Sequence, residues 1–314
     1  MTARPILAVT PNPAADKTVV LSGITPGAVH RVHESHLDPA GKGVNAARMA
    51  HRFGSAVLAL GFLGGDIGRL VERALADEGV PSSFRWIAGQ TRLNVNLFDP
   101  LTRQGTSFYE DGPPVCPEGL VAFRADVQAR LRGAAVLVLA GSLLPGMPPS
   151  FYAELIGAAR QLGVPAIVDA DGEPLRLALA ARPTLAKPNR AEAGSLLGRQ
   201  LDTRAAVVEA AGELVARGVG GVVISLGADG AIAADGEGVW LASPPPVELR
   251  STVGSGDSMV AGLAVALARG RGLEDGLRLG TAAGAATAMV PGTALGSAEQ
   301  VETLLPRVCL ERLA

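Results

Sequence analysis

The 314-residue chain has few of the residue types that mark several protein classes. It contains two cysteines, Cys116 and Cys309, which lie far apart and lack the spacing of metal ligands. Aromatic residues make up 4% of the chain, and no apolar run reaches membrane-spanning length without glycine, proline or charge. The sequence therefore predicts neither a disulfide framework, nor a zinc site, nor a membrane protein.

An excess of charge is also missing. The formal net charge is -2 and there is no basic run, so we expect no nucleic-acid partner. Residues 1–10 hold one arginine and a short apolar run without a small-residue cleavage site, which does not fit a secretory signal. We therefore expect a cytoplasmic protein. Its hydrophobic content of 48% is enough for a large core, arranged either as one large domain with an appendage or as two domains.

Short apolar runs alternate with helical stretches along most of the chain. Because the runs are apolar throughout, the alternation predicts a parallel sheet covered on both faces, with ligands at the carboxyl ends of its strands. The predicted strands are Ile6 to Thr10, Val57 to Phe62, Ala135 to Ala140, Ala166 to Asp169, Thr184 to Ala186 and Gly221 to Ser225. The predicted helices are Gly43 to Phe53, Ile67 to Glu78, Ser150 to Leu162, Arg190 to Leu197 and Thr203 to Arg217.

Two segments break this alternation. Lys17 to Leu37 includes Val19, Leu21, Val29 and Val32 between turn residues, and Thr91 to Tyr109 places apolar residues around a polar hairpin. Both read as strands that no helix follows, which predicts a small separate sheet. Such a sheet acts either as a lid over a site or as an extension of a sheet edge, and the pattern alone favours the extension.

The stretch from Ser251 to Leu263 is the strongest chemical signal. Gly254 and Gly256 bracket a turn, and the residues from Met259 to Ala268 read as a buried helix that starts just after Asp257. A helix N-terminus of this kind binds a phosphate or a developing negative charge. Asp257 is either a helix cap or a base that takes a proton from an attacking hydroxyl.

A second cluster lies in the first hundred residues. Gly41 and Gly43 allow close backbone approach at a helix start, and Lys42 and Asn45 offer a charge and an amide to a phosphorylated or polyhydroxylated ligand. The stretch is not a Walker A motif, since no Ser or Thr follows Gly-Lys. Asp16 suits a sugar hydroxyl or a turn equally well, whereas the guanidinium of Arg92 suits a phosphate.

The second half adds three polar turns after predicted strands. Ser142 follows a buried strand, and residues 225–230 form a glycine-containing turn that either admits a nucleotide or closes a hairpin. Asn189 and Glu192 stand three residues apart at a helix start. Their oxygens suit one Mg²⁺ ion through water, although a capping box is locally the favoured interpretation.

Eight motifs occur in the order found in one enzyme family. Between residues 10 and 296 the chain resembles the ribokinase-like sugar kinases of the phosphofructokinase B branch, and within it the 1-phosphofructokinases and tagatose-6-phosphate kinases. The motifs are Asn12-Pro13-x-x-Asp16, Ala40-Gly41-Lys42-Gly43-x-Asn45, Gly61-Phe62-x-Gly64, Thr91-Arg92-x-Asn94, Gly141-Ser142-Leu143, Lys187-Pro188-Asn189-x-x-Glu192, Ser225-Leu226-Gly227-x-x-Gly230 and Thr252-Val253-Gly254-Ser255-Gly256-Asp257-Ser258.

The resemblance implies an α/β fold with a doubly wound, mostly parallel sheet and a small β-sheet lid. The lid would comprise residues 12–37 and 91–109, and the core residues 1–11, 38–90 and 110–314. The implied activity is ATP-dependent phosphorylation of a sugar phosphate, with fructose 1-phosphate ranked ahead of tagatose 6-phosphate and fructose 6-phosphate. ATP, Mg²⁺, a homodimer formed through the lid and K⁺ are also implied, the K⁺ held by carbonyls near Ser251, Val253 and residues 287–292.

The resemblance also assigns roles to residues. Asp257 would be the base, and the turn of Gly254, Ser255 and Gly256 would stabilise the transferring phosphoryl group. ATP would lie along Lys187, Asn189, Glu192, Ser225, Gly227, Gly230 and Thr252, with Asn189 and Glu192 organising Mg²⁺. The phosphosugar would contact Asp16, Gly41, Lys42, Asn45, Arg92 and Ser142.

The chain departs from the family pattern at three places, of which the first is common in 1-phosphofructokinases and the last two bear on the acceptor and not on the reaction. Ala40 replaces the first glycine of a usual pair, Asn96 stands where many 1-phosphofructokinases have lysine, and Gly292-Thr293 resembles the other two activities. A kinase for neutral sugars or nucleosides is disfavoured, because such substrates do not need Lys42 and Arg92. A dehydrogenase should carry a glycine fingerprint after its first strand, and a non-catalytic nucleotide-binding regulator should have lost Asp257.

Overall fold

The computed structural model describes residues 3–102 and 104–313. The strands are β1 (Ile6–Thr10), β2 (Ala14–Val20), β3 (Glu34–Ala40), β4 (Val57–Leu63), β5 (Ser82–Trp86), β6 (Arg92–Asp99), β7 (Gln104–Phe108), β8 (Val136–Ala140), β9 (Ala166–Asp169), β10 (Leu185–Ala186), β11 (Gly221–Ser225), β12 (Ala231–Asp235), β13 (Val239–Ser243) and β14 (Cys309–Arg312). The α-helices are α1 (Lys42–Arg52), α2 (Gly65–Asp77), α3 (Pro117–Leu131), α4 (Phe151–Gln161), α5 (Gly172–Ala180), α6 (Arg190–Leu197), α7 (Arg204–Ala216), α8 (Ser255–Ala268), α9 (Leu273–Ala288) and α10 (Ala298–Leu304).

Ten strands form one large sheet. Their order is β14-β13-β12-β11-β10-β9-β8-β1-β4-β5, and every pair from β11 to β5 is parallel. The strands β12, β13 and β14 continue the sheet in antiparallel fashion. Parallel strands bring all their carboxyl ends to one edge, so the turns that follow β1, β8, β9 and β10 lie together at that edge.

The large sheet has a hydrophobic core on each face, as the apolar strands predict. In β1, Ile6 and Ala8 pack into one core, while Leu7 and Val9 pack into the other. Helices α1, α2, α8 and α9 contribute buried residues to the first core, and α3 to α7 contribute to the second. This double coverage is the physical reason that the strands carry almost no polar residues.

The six predicted strands and five predicted helices are present, each with ends within two residues of the prediction. The start of α8 differs: the helix begins at Ser255 and not after Asp257. The cause is Gly254, whose left-handed conformation (φ 79°) ends the preceding loop and starts the helix earlier. Asp257 therefore lies inside the first helical turn.

A small second sheet contains four strands in the order β3-β2-β6-β7. The strands β2 and β6 run parallel in its centre, with Asp16 opposite Asn94, and β3 extends the sheet to Ala40. Leu21, Val29 and Val32 of the predicted strand segment lie outside any strand. The glycines Gly23 and Gly27 adopt positive φ angles of 68° and 81°, which interrupt extended backbone there.

Helices α8 and α9 cross at very close range. A Cβ placed on Gly262 of α8 would lie 2.4 Å from the backbone nitrogen of Gly280 in α9, so no larger residue fits. Gly280 is equally constrained, since a Cβ there would lie 2.8 Å from the Met259 carbonyl oxygen. Within residues 3–102 and 104–313, no helix combines the length and apolar character needed to cross a bilayer.

Candidate active site

The first turn of α8 presents free backbone amides at the carboxyl edge of the large sheet. Gly254 caps the helix without a side-chain hydrogen bond, and the amides of Gly256 and Asp257 have no acceptor among the described residues. A Cβ on Gly256 would lie 3.4 Å from Nζ of Lys187, so this ammonium group lies beside the turn. Free amides, the helix dipole and an adjacent cation together make an anion site.

The Asp257 carboxylate is held in place at the mouth of this turn. Asn45 Nδ2 donates to Asp257 Oδ2 at 2.8 Å. Asn45 is itself oriented by Arg48, whose Nη1 donates to Asn45 Oδ1 at 3.3 Å, and Arg48 is in turn fixed by Glu78, with Nε to Oε2 at 2.9 Å. The chain of contacts fixes one carboxylate oxygen and leaves the other for a ligand.

The environment of Asp257 moves the pKa of its carboxyl group towards neutral pH. Burial is the largest effect and, with the negative charge of Asp169, raises the pKa of Asp257 to about 6, against the lowering effects of Asn45, Lys42 and Lys187. The residue nevertheless remains partly accessible to solvent. A reachable carboxylate with a pKa close to neutral is suited to general-base catalysis.

Three charged side chains form a cluster next to this turn, in which Asp169 and Lys187 are buried and Lys42 is partly exposed. Asp169, at the end of β9, accepts from Lys42 Nζ at 2.8 Å through Oδ1 and from Lys187 Nζ at 3.0 Å through Oδ2. Burial opposes ionisation of Asp169, but the two lysines hold its pKa below the ordinary value. Burial also opposes the charge of Lys42, yet Asp169 and Glu192 raise the pKa of this lysine above its usual value.

The small sheet contributes a pair of buried polar residues. Asn94 Nδ2 donates to Asp16 Oδ1 at 2.8 Å, and both side chains are buried. Burial raises the pKa of Asp16, against the lowering effects of Asn94 and Arg92. Asn94 Oδ1 has no hydrogen-bond partner, and neither has Asn96 Nδ2, two residues further along β6. Unpaired buried groups of this kind suit a ligand that supplies hydroxyls.

Arg92 lies at the start of β6, near Asn12 and the predicted sugar-side residue Ser142. Its Nη2 donates to the Asn12 carbonyl at 2.9 Å, its Nη1 donates to the Glu110 carbonyl at 3.2 Å, and its Nε is buried without a partner. The Asn12 side chain donates to Ser142 Oγ at 3.1 Å. Arg92, Asn12 and Ser142 are thus brought together, whereas Lys42 shares its carboxylate with Lys187.

The Asn189-Glu192 pair forms a capping box. Asn189 Oδ1 accepts from the Glu192 amide, and Glu192 Oε2 accepts from the Asn189 amide, each at 2.8 Å. Glu192 Oε1 remains 3.7 Å from Lys42 Nζ. The described residues contain no group of three or more His, Cys, Asp or Glu side chains that could hold a metal ion. Because the capping box uses the single side-chain oxygen of Asn189 and one oxygen of Glu192, the pair fits a largely hydrated Mg²⁺ better than direct coordination.

The turn after β11 closes an antiparallel hairpin with β12, one of the two outcomes open from the sequence. Ser225 pairs with Asn189 through an isolated bridge, which places the hairpin beside the capping box. Gly227 is exposed, whereas Gly230 is buried with φ 91°. A Cβ on Gly230 would lie 1.9 Å from the Ala242 carbonyl oxygen in β13, so the close approach of this strand requires glycine here.

The loop before α8 is tied to the turn that follows α9. The amide of Ser251 donates to the Ala288 carbonyl at 3.3 Å, and the Ser251 hydroxyl donates to the Gly292 carbonyl. Thr252 is exposed on this loop. The turn also reaches the small sheet, where Thr293 Oγ1 donates to Asp38 at 2.8 Å. The segments predicted to supply carbonyls for a cation are therefore adjacent.

Sequence reasoning missed Asp169 as a site residue, although its own signal was available. A carboxylate ended the predicted strand Ala166 to Asp169 at the ligand-binding edge of the sheet, where burial without a partner is unfavourable. Asn12 and Asn94 stood in recognised motifs but received no assigned role. The Asp38-Thr293 contact joins residues 255 positions apart and had no signal in the sequence.

Comparisons with known proteins agree with this geometry. A family model described as pfkB family carbohydrate kinase matches residues 11–300. The 1-phosphofructokinase of Rhodobacter capsulatus is 42% identical over 278 residues, which are 88% of each chain. The structure of phosphofructokinase-2 from Escherichia coli with substrates and products matches with a TM-score of 0.92, at 34% identity over 96% of this chain and 99% of that one. A structure of the same protein with potassium matches with a TM-score of 0.90, at 34% identity over 96% and 98%. These matches confirm the predicted ribokinase-like fold.

Proposed function

Because the chain belongs to the pfkB family of carbohydrate kinases, we propose that it transfers the γ-phosphoryl group of ATP to fructose 1-phosphate and forms fructose 1,6-bisphosphate. The observation that carries this proposal is the Asn45-held carboxylate of Asp257 at the mouth of a turn with free amides. The carboxylate can accept a proton while the amides bind a phosphoryl group, and phosphoryl transfer requires both.

The reaction divides among this chain's residues as follows. Asp257 takes the proton of the acceptor hydroxyl. The hydroxyl oxygen of the sugar bonds to the γ-phosphorus, and the bond from phosphorus to the ADP oxygen breaks. The amides of Gly256 and Asp257, with the Lys187 ammonium, stabilise the charge on the transferring group. Gly254 supplies the left-handed cap that points these amides outward, and Ser255 occupies the first helical position.

The acceptor is recognised by the small sheet and by the turn after β8. The paired Asp16 and Asn94 hold sugar hydroxyls, with the free Asn94 oxygen as a further acceptor. Arg92 and Ser142 bind the phosphate at the far end of the sugar, where the unpartnered Nε of Arg92 awaits an anion. Gly41 contacts the sugar in this proposal; its φ of 116° suits glycine, and a Cβ there would lie 3.0 Å from Thr10 Cγ2.

The nucleotide lies across the carboxyl edge of β10 and β11. Lys187, Asn189, Ser225, Gly227, Gly230 and Thr252 contact ATP in this proposal, and Lys42 lies between the phosphates of the two substrates. Glu192 and Asn189 hold Mg²⁺ through water, a choice supported by Glu192 Oε1, which the capping box leaves unused and which lies 3.7 Å from Lys42 Nζ. When bound, Mg²⁺ neutralises charge on the transferring phosphates.

The proposal extends to the assembly and the setting of the enzyme. Residues 12–37 and 91–109 act as a lid on a core of residues 1–11, 38–90 and 110–314. A homodimer forms through this lid, supported by the exposed apolar side chains of Leu37, Phe108 and Tyr109, which are 44%, 57% and 63% exposed. The protein works in the cytoplasm, K⁺ binds the loop at Ser251 and Val253, and neither nucleic acid nor membrane is a partner.

The acceptor is tested with a panel of sugars. The purified protein is assayed with fructose 1-phosphate, fructose 6-phosphate, tagatose 6-phosphate, fructose and ribose at equal concentration, and fructose 1-phosphate should give the highest kcat/KM. Fructose 6-phosphate is the second candidate, because the chain matches the structure of phosphofructokinase-2 from Escherichia coli closely. A preference for ribose or fructose would contradict a phosphosugar kinase but not a kinase.

A further inference from the structure

Asp169 connects two lysines that come from different parts of the chain. Lys42 begins α1 and Lys187 follows β10, yet each ammonium group binds its own oxygen of the Asp169 carboxylate, at 2.8 and 3.0 Å. The side chain of Asp169 is 1% exposed and that of Lys187 is 5% exposed. The Lys42 side chain is 33% exposed, so it lies at the open side of the cluster.

We propose that Asp169 is a positioning residue that fixes Lys42 and Lys187 as one unit between the acceptor and nucleotide sides of the site. This inference rests on the proposed kinase function, because the lysines are fixed for the benefit of two phosphorylated substrates. Asp169 touches neither substrate. It acts through the two ammonium groups, one beside the Gly256 turn and one near Glu192.

The physical need for such a residue follows from the charges. Two ammonium groups within reach of one carboxylate repel each other, and lysine side chains have many rotamers to lose. A buried carboxylate between them removes the repulsion and selects one rotamer for each lysine, while a net positive charge remains for phosphates. Without it, Lys42 is free to turn toward solvent from its open position, and binding of each phosphorylated ligand weakens.

The same cluster reaches the base. Asp257 faces Asn45 and Lys42 from α1, Asp169 from β9, Lys187 after β10 and the amides of its own helix. The fully buried Tyr152 lies near both Asp169 and Asp171. Its hydroxyl donates to the Gly141 carbonyl at 2.9 Å. Removing the negative charge of Asp169 leaves the two ammonium groups uncompensated near Asp257. The pKa of Asp257 then falls, and the base ionises at lower pH.

A purely structural ion pair is the alternative. Buried ion pairs often only join elements, and breaking one destabilises the fold without a specific effect on either ligand. The two roles differ in their readouts. A structural role lowers the melting temperature alone, whereas a positioning role changes the affinities for both ligands and the pH profile.

The test is Asp169→Asn, which keeps the shape and removes the charge. Its control is Asp171→Asn, which removes an exposed carboxylate two residues away that makes no side-chain hydrogen bond. Steady-state kinetics with fructose 1-phosphate and MgATP, calorimetric titration of ADP and the pH profile of kcat/KM are measured on both variants and the wild type. In metal sites, partners that orient a ligand contribute about 10- to 100-fold to affinity, and we expect about tenfold here for each substrate.

Asp169→Asn should weaken both substrates and ADP and shift the acidic limb of kcat/KM to lower pH, while Asp171→Asn matches the wild type. If the wild type is active and the Asp169→Asn variant loses only thermal stability, this inference is overturned, but the proposed kinase function is not. A wild type that phosphorylates no sugar overturns the proposed function and this inference with it.

If Asp169→Asn does not fold, a double-mutant cycle of Lys42→Gln and Lys187→Gln decides. If Asp169 couples the two lysines, the loss of kcat/KM in the double variant should differ by more than about threefold from the product of the losses in the two single variants. Independent effects would overturn the link.

Discussion

The amide nitrogen of Asn45 and the carboxylate of Asp257 lie 2.8 Å apart, although 212 residues separate them in the chain. Asn45 belongs to α1 and Asp257 to α8, two helices that pack on the same face of the large sheet. The contact fixes the direction of the carboxylate relative to the free amides of its own turn. Two helices that meet through a core thereby set the geometry of a proton acceptor.

Replacing Asp257 with asparagine should reduce kcat by about 10²- to 10⁴-fold, because the variant keeps the shape but accepts no proton. Binding of ATP and sugar phosphate should change little. Steady-state assays with parallel calorimetry measure both quantities. The control is Asp66→Asn, which removes a carboxylate that is 88% exposed. An Asp257→Asn enzyme with near-normal turnover would make Asp257 a helix cap only.

The pH profile of the wild type should show the ionisation of this base. The pKa of Asp257 is about 6, so its active, deprotonated form dominates only above that pH. We expect log kcat/KM of the wild type to fall with unit slope below pH 6. The Asp257→Asn variant should lack this acidic limb, so that its residual rate does not change with pH there. An acidic limb near pH 4 in the wild type would instead mean that the rate depends on a carboxylate with an ordinary pKa.

The same burial makes Asp257 costly to the fold. Its pKa rises from 3.8 to about 6 on folding, so between these values the folded protein binds a proton that the unfolded chain has lost. The free energy of unfolding therefore falls as pH rises through this window, and the cost is complete above pH 6. Asp257→Asn should be more stable by about 1 to 3 kcal/mol at pH 7.5, and this gain should shrink toward pH 4.5. Urea denaturation at both pH values measures it.

Arg92→Ala should lower kcat/KM for fructose 1-phosphate by about 10- to 100-fold, since charge-assisted hydrogen bonds contribute about 1.5 to 3 kcal/mol in a dry site. The kcat/KM for free fructose should fall less, because fructose has no phosphate for the guanidinium. The ratio between the two substrates is the measurement, and it cancels any general loss of folded enzyme. Equal losses for both sugars would place the phosphate away from Arg92.

Potassium should raise kcat above the rate in tetramethylammonium at the same ionic strength. The loop at Ser251 and the turn at Gly292 are joined by hydrogen bonds next to the anion site, and a structure of phosphofructokinase-2 from Escherichia coli contains potassium. Bound K⁺ would fix the loop that leads into Gly254. Rates that do not differ between the two salts would exclude a role for the cation.

How much the sequence reveals depends on the range of the interaction. Strands such as Ala166 to Asp169 and the capping box at Asn189 are local patterns, and they were predicted correctly. The helix α9 was not predicted, because its residues are small and buried around most of its circumference, which leaves no apolar stripe. The salt bridges of Asp169 join three distant segments, and no local pattern encodes such a meeting.

The close crossing of α8 and α9 at Gly262 and Gly280 limits how the enzyme can move. Helices packed this closely have little room to slide or tilt, because movement towards each other drives main-chain atoms together. We therefore expect the first turn of α8 to stay in place while substrates bind and products leave. We expect any opening and closing to come from the four-stranded sheet, which contacts the core through the Thr91 amide and the Gly64 carbonyl and through the side chains of Asp38 and Thr293.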